Sequence, residues 1–168
     1  MSRFLTFTVF GLILAVLCFG AWKVLHITAA TSNELPAAAQ AALAHPTTLE
    51  LATITKANQP GRQLGGYAVV ASAPVPTPAL RQEAANTLLA CISAVGKSPE
   101  CFEPTLALHL TSPEGDFLFL PCFKCGHMKV VQTLPGRPEE WSWVEIRATG
   151  NEFAPILKAL HLPVRTEN

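Results

Sequence analysis

Hydrophobic positions fall into three regimes along the chain. The first has no alternation. Phe4–Trp22, FLTFTVFGLILAVLCFGAW, carries no charge for 19 residues between Arg3 and Lys23. At about 1.5 Å per helical residue, such a run nearly matches a hydrocarbon core of about 30 Å. Trp22 stands where an interfacial aromatic belongs. With no polar face anywhere in the run, residues 1–25 are predicted to form a transmembrane anchor. The alternative is a cleaved signal peptide, with small residues at Gly20–Ala21 and Ala29–Ala30, and a secreted body. Cys18 is preceded by Leu17 instead of the small residue a lipobox requires, so it reads as an ordinary membrane cysteine. Arg3 and Lys23 nearly cancel in the positive-inside count. The usual behaviour of a short N-terminal anchor places the body outside the cytoplasm.

The second regime, residues 26–46, is rich in Ala. It is predicted to be a tether carrying a short helix over Ala37–Ala44, opened by Pro36. His26 and His45 are isolated and read as solvated.

The third regime, residues 47–168, mixes periods of two and of 3.6. Thr47–Thr55 is rich in β-branched residues and alternates, which predicts a half-buried strand. Asn58–Gly66 reads as a loop from its Gly and Pro content. Tyr67–Ala71, apolar on both faces, is expected to be a central strand. Thr77 and Pro78 predict an N-cap followed by proline at the first helical position. From there Leu80, Ala84, Leu88, Cys91, Ile92 and Val95 lie on one helical face, and Gly96 supplies a stop. This places Cys91 on a buried face as a small hydrophobe. Thr105–Thr111 alternates, Ser112–Asp116 is a turn, and Phe117–Leu120 returns as its partner. Met128–Thr133 and Trp141–Arg147 follow as strands, and Asn151–His161 as a short helix. Short turns between the later strands require antiparallel pairing. The predicted fold class is α+β: a mostly antiparallel sheet with two helices packed on one face.

Composition narrows the function classes. Lys+Arg and Asp+Glu balance at 12 each, and charged residues make up only 14%. With no basic cluster there is no electrostatic footprint for nucleic acid. No Gly-x-Ser-x-Gly, phosphate-binding glycine loop or His-Glu-x-x-His is present, and no catalytic residue is assigned. Glu139, Glu140 and Glu145 read as a solvated face, and His109 as packed. His161 ends the last helix, where a cation would suit the dipole. Trp141 and Trp143 share one strand face; they are assigned to the core on aromatic preference, with a binding surface as the alternative.

Reactive side chains cluster only in FLFLPCFKCGHMKVV, Phe117–Val131, which holds Cys122, Cys125 and His127. Three readings compete. A metal knuckle would turn both sulfurs toward one ion, with Cys101 and either His127 or Cys91 completing a zinc set, Cys91 being disfavoured by its place on a buried helical face. Redox catalysis would want the pair at a helix N-terminus, whereas GHMKVVQT is strand-like. The third reading is a structural disulfide, between Cys122 and Cys125 or from one of them to Cys101, as expected in an oxidising compartment.

The run CFEP at Cys101–Pro104, a hairpin, and CFKC at Cys122–Cys125 resembles a group of uncharacterised bacterial proteins. Those carry a Cys-Phe-x-Pro motif, an intervening hairpin and a Cys-Phe-x-Cys motif. The resemblance covers about Tyr67 to Pro163 and implies a shared architecture with three matched cysteines. In that group Arg-His-Gly commonly follows the first motif; here Thr105–Leu106–Ala107 stands instead.

The expectation is a membrane-tethered extracytoplasmic domain that binds or serves a structural role. The membrane is its one partner legible in the residues, and nothing there names a protein partner. Thiol redox chemistry or a structural metal on Cys101, Cys122 and Cys125 is the alternative.

Overall fold

The computed structural model describes residues 35–56, 60–95, 99 and 101–164. The expected anchor over 1–25, with Cys18, lies outside these residues, as does the first part of the expected tether. Among the described residues no helix is long and apolar enough to cross a membrane.

The elements are α1 (Ala37–Ala44), β1 (Thr48–Lys56), β2 (Gln63–Leu64), β3 (Tyr67–Pro74), α2 (Pro78–Cys91) and β4 (Ile92–Val95). After these come β5 (Leu106–Ser112), β6 (Gly115–Cys122), β7 (His127–Thr133), β8 (Glu140–Ile146), a 3-10 turn (Asn151–Phe153) and α3 (Ala154–Ala159). Among the described residues eight strands form one sheet in the order β2-β3-β1-β5-β6-β7-β8-β4, with every pairing antiparallel. The α+β expectation therefore holds: the described residues contain three helices, the two expected on the sheet and the short one expected over Ala37–Ala44.

Alternation decides which side chains meet the helices. Leu49 and Leu51 of β1, Leu106, Leu108 and Leu110 of β5, and Phe117 and Phe119 of β6 share the main core with helical residues including Leu43, Leu88 and Ile156. Cross-strand pairs Leu108–Phe119 and Leu110–Phe117 set the register of the β5–β6 hairpin. A one-residue slip would turn all of these side chains outward.

Several boundaries differ from the sequence reading. The helix over Ala37–Ala44 forms, but Ala39, Ala42 and Leu43 are fully buried. The segment expected to be a tether thus already belongs to the core from Leu35 onward. Small alanines let α1 lie close to its neighbours, and its lack of charge left no polar face to signal an exposed linker. Thr77 caps α2 as expected, its Oγ1 accepting from the Leu80 amide at 3.2 Å. The helix ends at Cys91, however, and Ile92–Val95 pairs with β8. Ile92 and Val95 fit a helical face and a strand equally well, and pairing with an otherwise open edge of β8 wins. Tyr67–Ala71 lies in β3, which has only the two-residue β2 outside it, so it is not central. The loop expected over 58–66 contains a tight hairpin. Gly65 and Gly66 both take positive φ, 57° and 87°, as a two-residue turn matched to strand twist requires.

The sheet curls toward the face on which none of the described helices packs. β3 and β8 are five positions apart in the strand order, so at about 4.8 Å per strand a flat sheet would part them by about 24 Å. Yet the Phe102 ring lies 6.3 Å from that of Tyr67 and 4.8 Å from that of Trp143. A second small core of Ala52, Ile54, Ala107 and Leu120 fills the curl, with Leu64, Tyr67, Val69, Phe102 and Leu118 packed around it.

Candidate functional site

The Cys-x-x-Cys run forms the turn between β6 and β7. Cys122 pairs with His127 at the end of the ladder, leaving four residues to reverse the chain. Gly126 takes φ of 64°, a conformation in which a side chain is strained. Its N–H donates to the Phe123 carbonyl at 3.3 Å, and its carbonyl accepts from the Ile146 N–H at 2.9 Å. The turn brings Cys122 and Cys125 to a Cα separation of 5.5 Å, and they form a disulfide. Cys122 is buried and Cys125 is half-buried. Between them, Lys124 points to solvent, while Phe123 packs against the main core.

The structure separates the four cysteines of the body. Cys101 is free and exposed, and Cys91 is free and buried. The Cys91 thiol donates to the Thr87 carbonyl at 3.1 Å. Burial, assisted by the charge of Glu152, pushes its pKa up to about 11, so it is protonated and unreactive near neutrality. His127 Nδ1 lies 2.5 Å from the Cys125 carbonyl oxygen, a contact that requires a protonated Nδ1. Among the described residues no three His, Cys, Asp or Glu side chains gather so as to hold a metal ion. The proposed set of Cys101, Cys122, Cys125 and His127 does not fit zinc in this arrangement, because two of its sulfurs are bonded to each other. Nor does the pair sit at a helix N-terminus: β6 precedes it and β7 follows.

A second feature occupies the sheet face that none of the described helices covers. Trp141, 60% exposed, meets Trp143 edge-on at 6.2 Å, and Trp143 meets Phe102 in the same manner. With Tyr67 these rings form a continuous ledge. The Tyr67 hydroxyl donates to the Phe102 carbonyl at 3.3 Å, and Lys129 Nζ lies 5.4 Å from the centre of a Trp141 ring. Trp143 Nε1 is sheltered from solvent without a hydrogen-bond partner. The core assignment for Trp141 is thus overturned. The signal was present in the alternation: Trp141 and Trp143 are in phase with Glu145, while Val144 and Ile146 of the opposite phase are buried. Strand phase, and not aromatic character, decides burial here.

Sequence reasoning missed a polar cluster farther along the same face. Arg62 donates through both terminal nitrogens to Glu50, with Nη2–Oε2 at 2.6 Å. His109, opposite Glu50 in the β1–β5 register, approaches it at 3.9 Å. The hydrogen bond from Arg62 holds the Glu50 carboxyl below its usual range, against the opposing effect of burial. Glu50 and His109 are directly paired only because β1 and β5 are neighbours, and that adjacency is not local information.

Comparison of the chain with protein-family models, with curated proteins and with solved structures finds no match.

Proposed function

We propose that the chain is a membrane-tethered, extracytoplasmic binding module that meets its partner through the aromatic ledge. The single observation that carries this reading is Trp141, a large aromatic left 60% exposed at the end of a ring series on the uncovered sheet face. Aromatic side chains supply rigid contact area and dominate the energetics of binding surfaces. The uncharged run Phe4–Trp22 supports the tether. The Cys122–Cys125 disulfide supports an oxidising compartment, where such bonds persist. The resemblance to the Cys-Phe-x-Pro and Cys-Phe-x-Cys group belongs to the same reading, as a shared architecture.

In-cell photocrosslinking tests the ledge. A benzophenone-bearing residue is placed at Trp141 of the full chain, and separately at Val70, which is 48% exposed. A discrete adduct from position 141 and none from position 70 is expected. No adduct from 141, or equal adducts from both, contradicts a binding role for the ledge.

A second reading, thiol chemistry on Cys101, Cys122 and Cys125, is favoured by one observation: an exposed free thiol coexists with a disulfide whose second sulfur belongs to a half-buried residue.

A further inference from the structure

The disulfide encloses Phe123, one of the side chains against which the C-terminal segment packs where it joins the main core. Gly150 lies against this ring so closely that a Cβ there would sit 2.8 Å from Phe123 Cδ2. The fully buried Phe153 meets the same ring at a centroid distance of 6.1 Å. Phe123 also lines a narrow cleft with Leu157, Pro163 and Val164. One side chain thus touches the start of the 3-10 turn and shares a cleft with α3 and the residues after it. Its backbone is held at Cys122 by the β6–β7 ladder and at Cys125 by the sulfur bridge.

We propose that the Cys122–Cys125 disulfide is a redox-operated clamp on the C-terminal segment 150–164, opened by thiol–disulfide exchange at the Cys125 sulfur. Cys122 is 1% exposed, whereas Cys125 is half-buried and followed by the turn glycine, so an incoming thiolate reaches Cys125 first. The thiolate attacks Cys125 Sγ; a mixed disulfide forms, the S–S bond breaks, and Cys122 leaves as a thiolate that takes a proton. A second thiolate then attacks the mixed disulfide at the incoming sulfur. Cys125 is released as a thiol, and the two external thiols leave joined as a disulfide. Two electrons and two protons pass to the protein, and the co-reactant is a dithiol or a pair of thiols. Without the bridge, residues 123–126 regain conformational freedom and Phe123 no longer holds its place against Gly150 and Phe153. The ladder hydrogen bonds of β5, β6 and β7 do not depend on the bridge, so the change is local. This clamp operates whatever the aromatic ledge binds.

Amide hydrogen exchange on the full chain, with and without dithiothreitol, tests it. The amides of Phe153, Leu160 and Leu162 donate to Gly150, Ile156 and Leu157. On reduction they are expected to exchange about tenfold faster, while the amides of β5 and β6 keep their rates. Oxidised Phe123→Leu is expected to show the faster exchange already. The clamp is overturned by unchanged rates in 150–164, by acceleration of the whole sheet to the same extent, by full protection in oxidised Phe123→Leu, or by a pair that dithiothreitol cannot reduce without denaturant.

Discussion

Glu50 shows how one side chain depends on strands distant in sequence. Its carboxylate accepts from Arg62 and faces His109. Because the folded carboxyl is depressed below its ordinary range, the ion pair contributes stability above that range. The contribution is lost as pH falls through the folded value. Glu50→Gln is therefore expected to cost up to about 1 kcal/mol at pH 7 in denaturant unfolding. The gap between variant and parent should narrow progressively as pH drops below about 4.5. A gap that is independent of pH would show that Glu50 acts through packing and not charge. The cysteines differ from one another by environment in the same manner. Cys91 was legible as buried because helical spacing placed it beside Leu88 and Ala84, and all three are buried. The fate of Cys101 was not legible, since the alternatives of bridge, ligand and free thiol depend on where the loop before β5 lies in space.

At the scale of elements, the β2–β3 turn is the most sensitive point. Gly65 sits at φ of 57°, and a Cβ there would lie 2.7 Å from Leu120 Cδ1 and 3.0 Å from Leu118 Cδ2. Leu120 is fully buried, so it cannot move aside cheaply. Gly65→Ala is expected to lower stability by about 2–3 kcal/mol, combining left-handed backbone strain with overpacking. Gly66→Ala, with a φ of 87° and open space around it, should lose only about 1 kcal/mol from backbone strain. Equal losses at the two positions would refute the close approach of this turn to β6. Elements with strong local signals were readable: the Thr77 cap, the alternation of β5 and β8, and the Ser112–Gly115 reversal all occur. β2 and β4 were not, because each is short and exists by pairing with a strand found elsewhere in the chain. The same lack of long-range information hid the role of α1, whose alanines carry little periodic contrast and are buried by α2 and the sheet.

For the whole molecule, antiparallel architecture followed from short turns, and the helix-covered face followed from alternation. The curl of the sheet did not, because it depends on Phe102 bridging Tyr67 and Trp143 across the open face. That curl also forms the aromatic ledge that the proposed function uses. The proposed tether and compartment rest on the N-terminal run and the disulfide together, and one labelling experiment addresses both. Spheroplasts expressing the full chain are treated with a membrane-impermeant maleimide, the membrane fraction is recovered, and labelled cysteines are mapped by mass spectrometry. Cys101, free and exposed, should be labelled in intact spheroplasts on chain recovered with the membrane. Cys91, buried with its thiol pKa raised to about 11, should remain unlabelled, as should the bridged Cys122 and Cys125. Labelling of Cys101 only after lysis, or recovery of the chain away from the membrane, would contradict a tethered extracytoplasmic module.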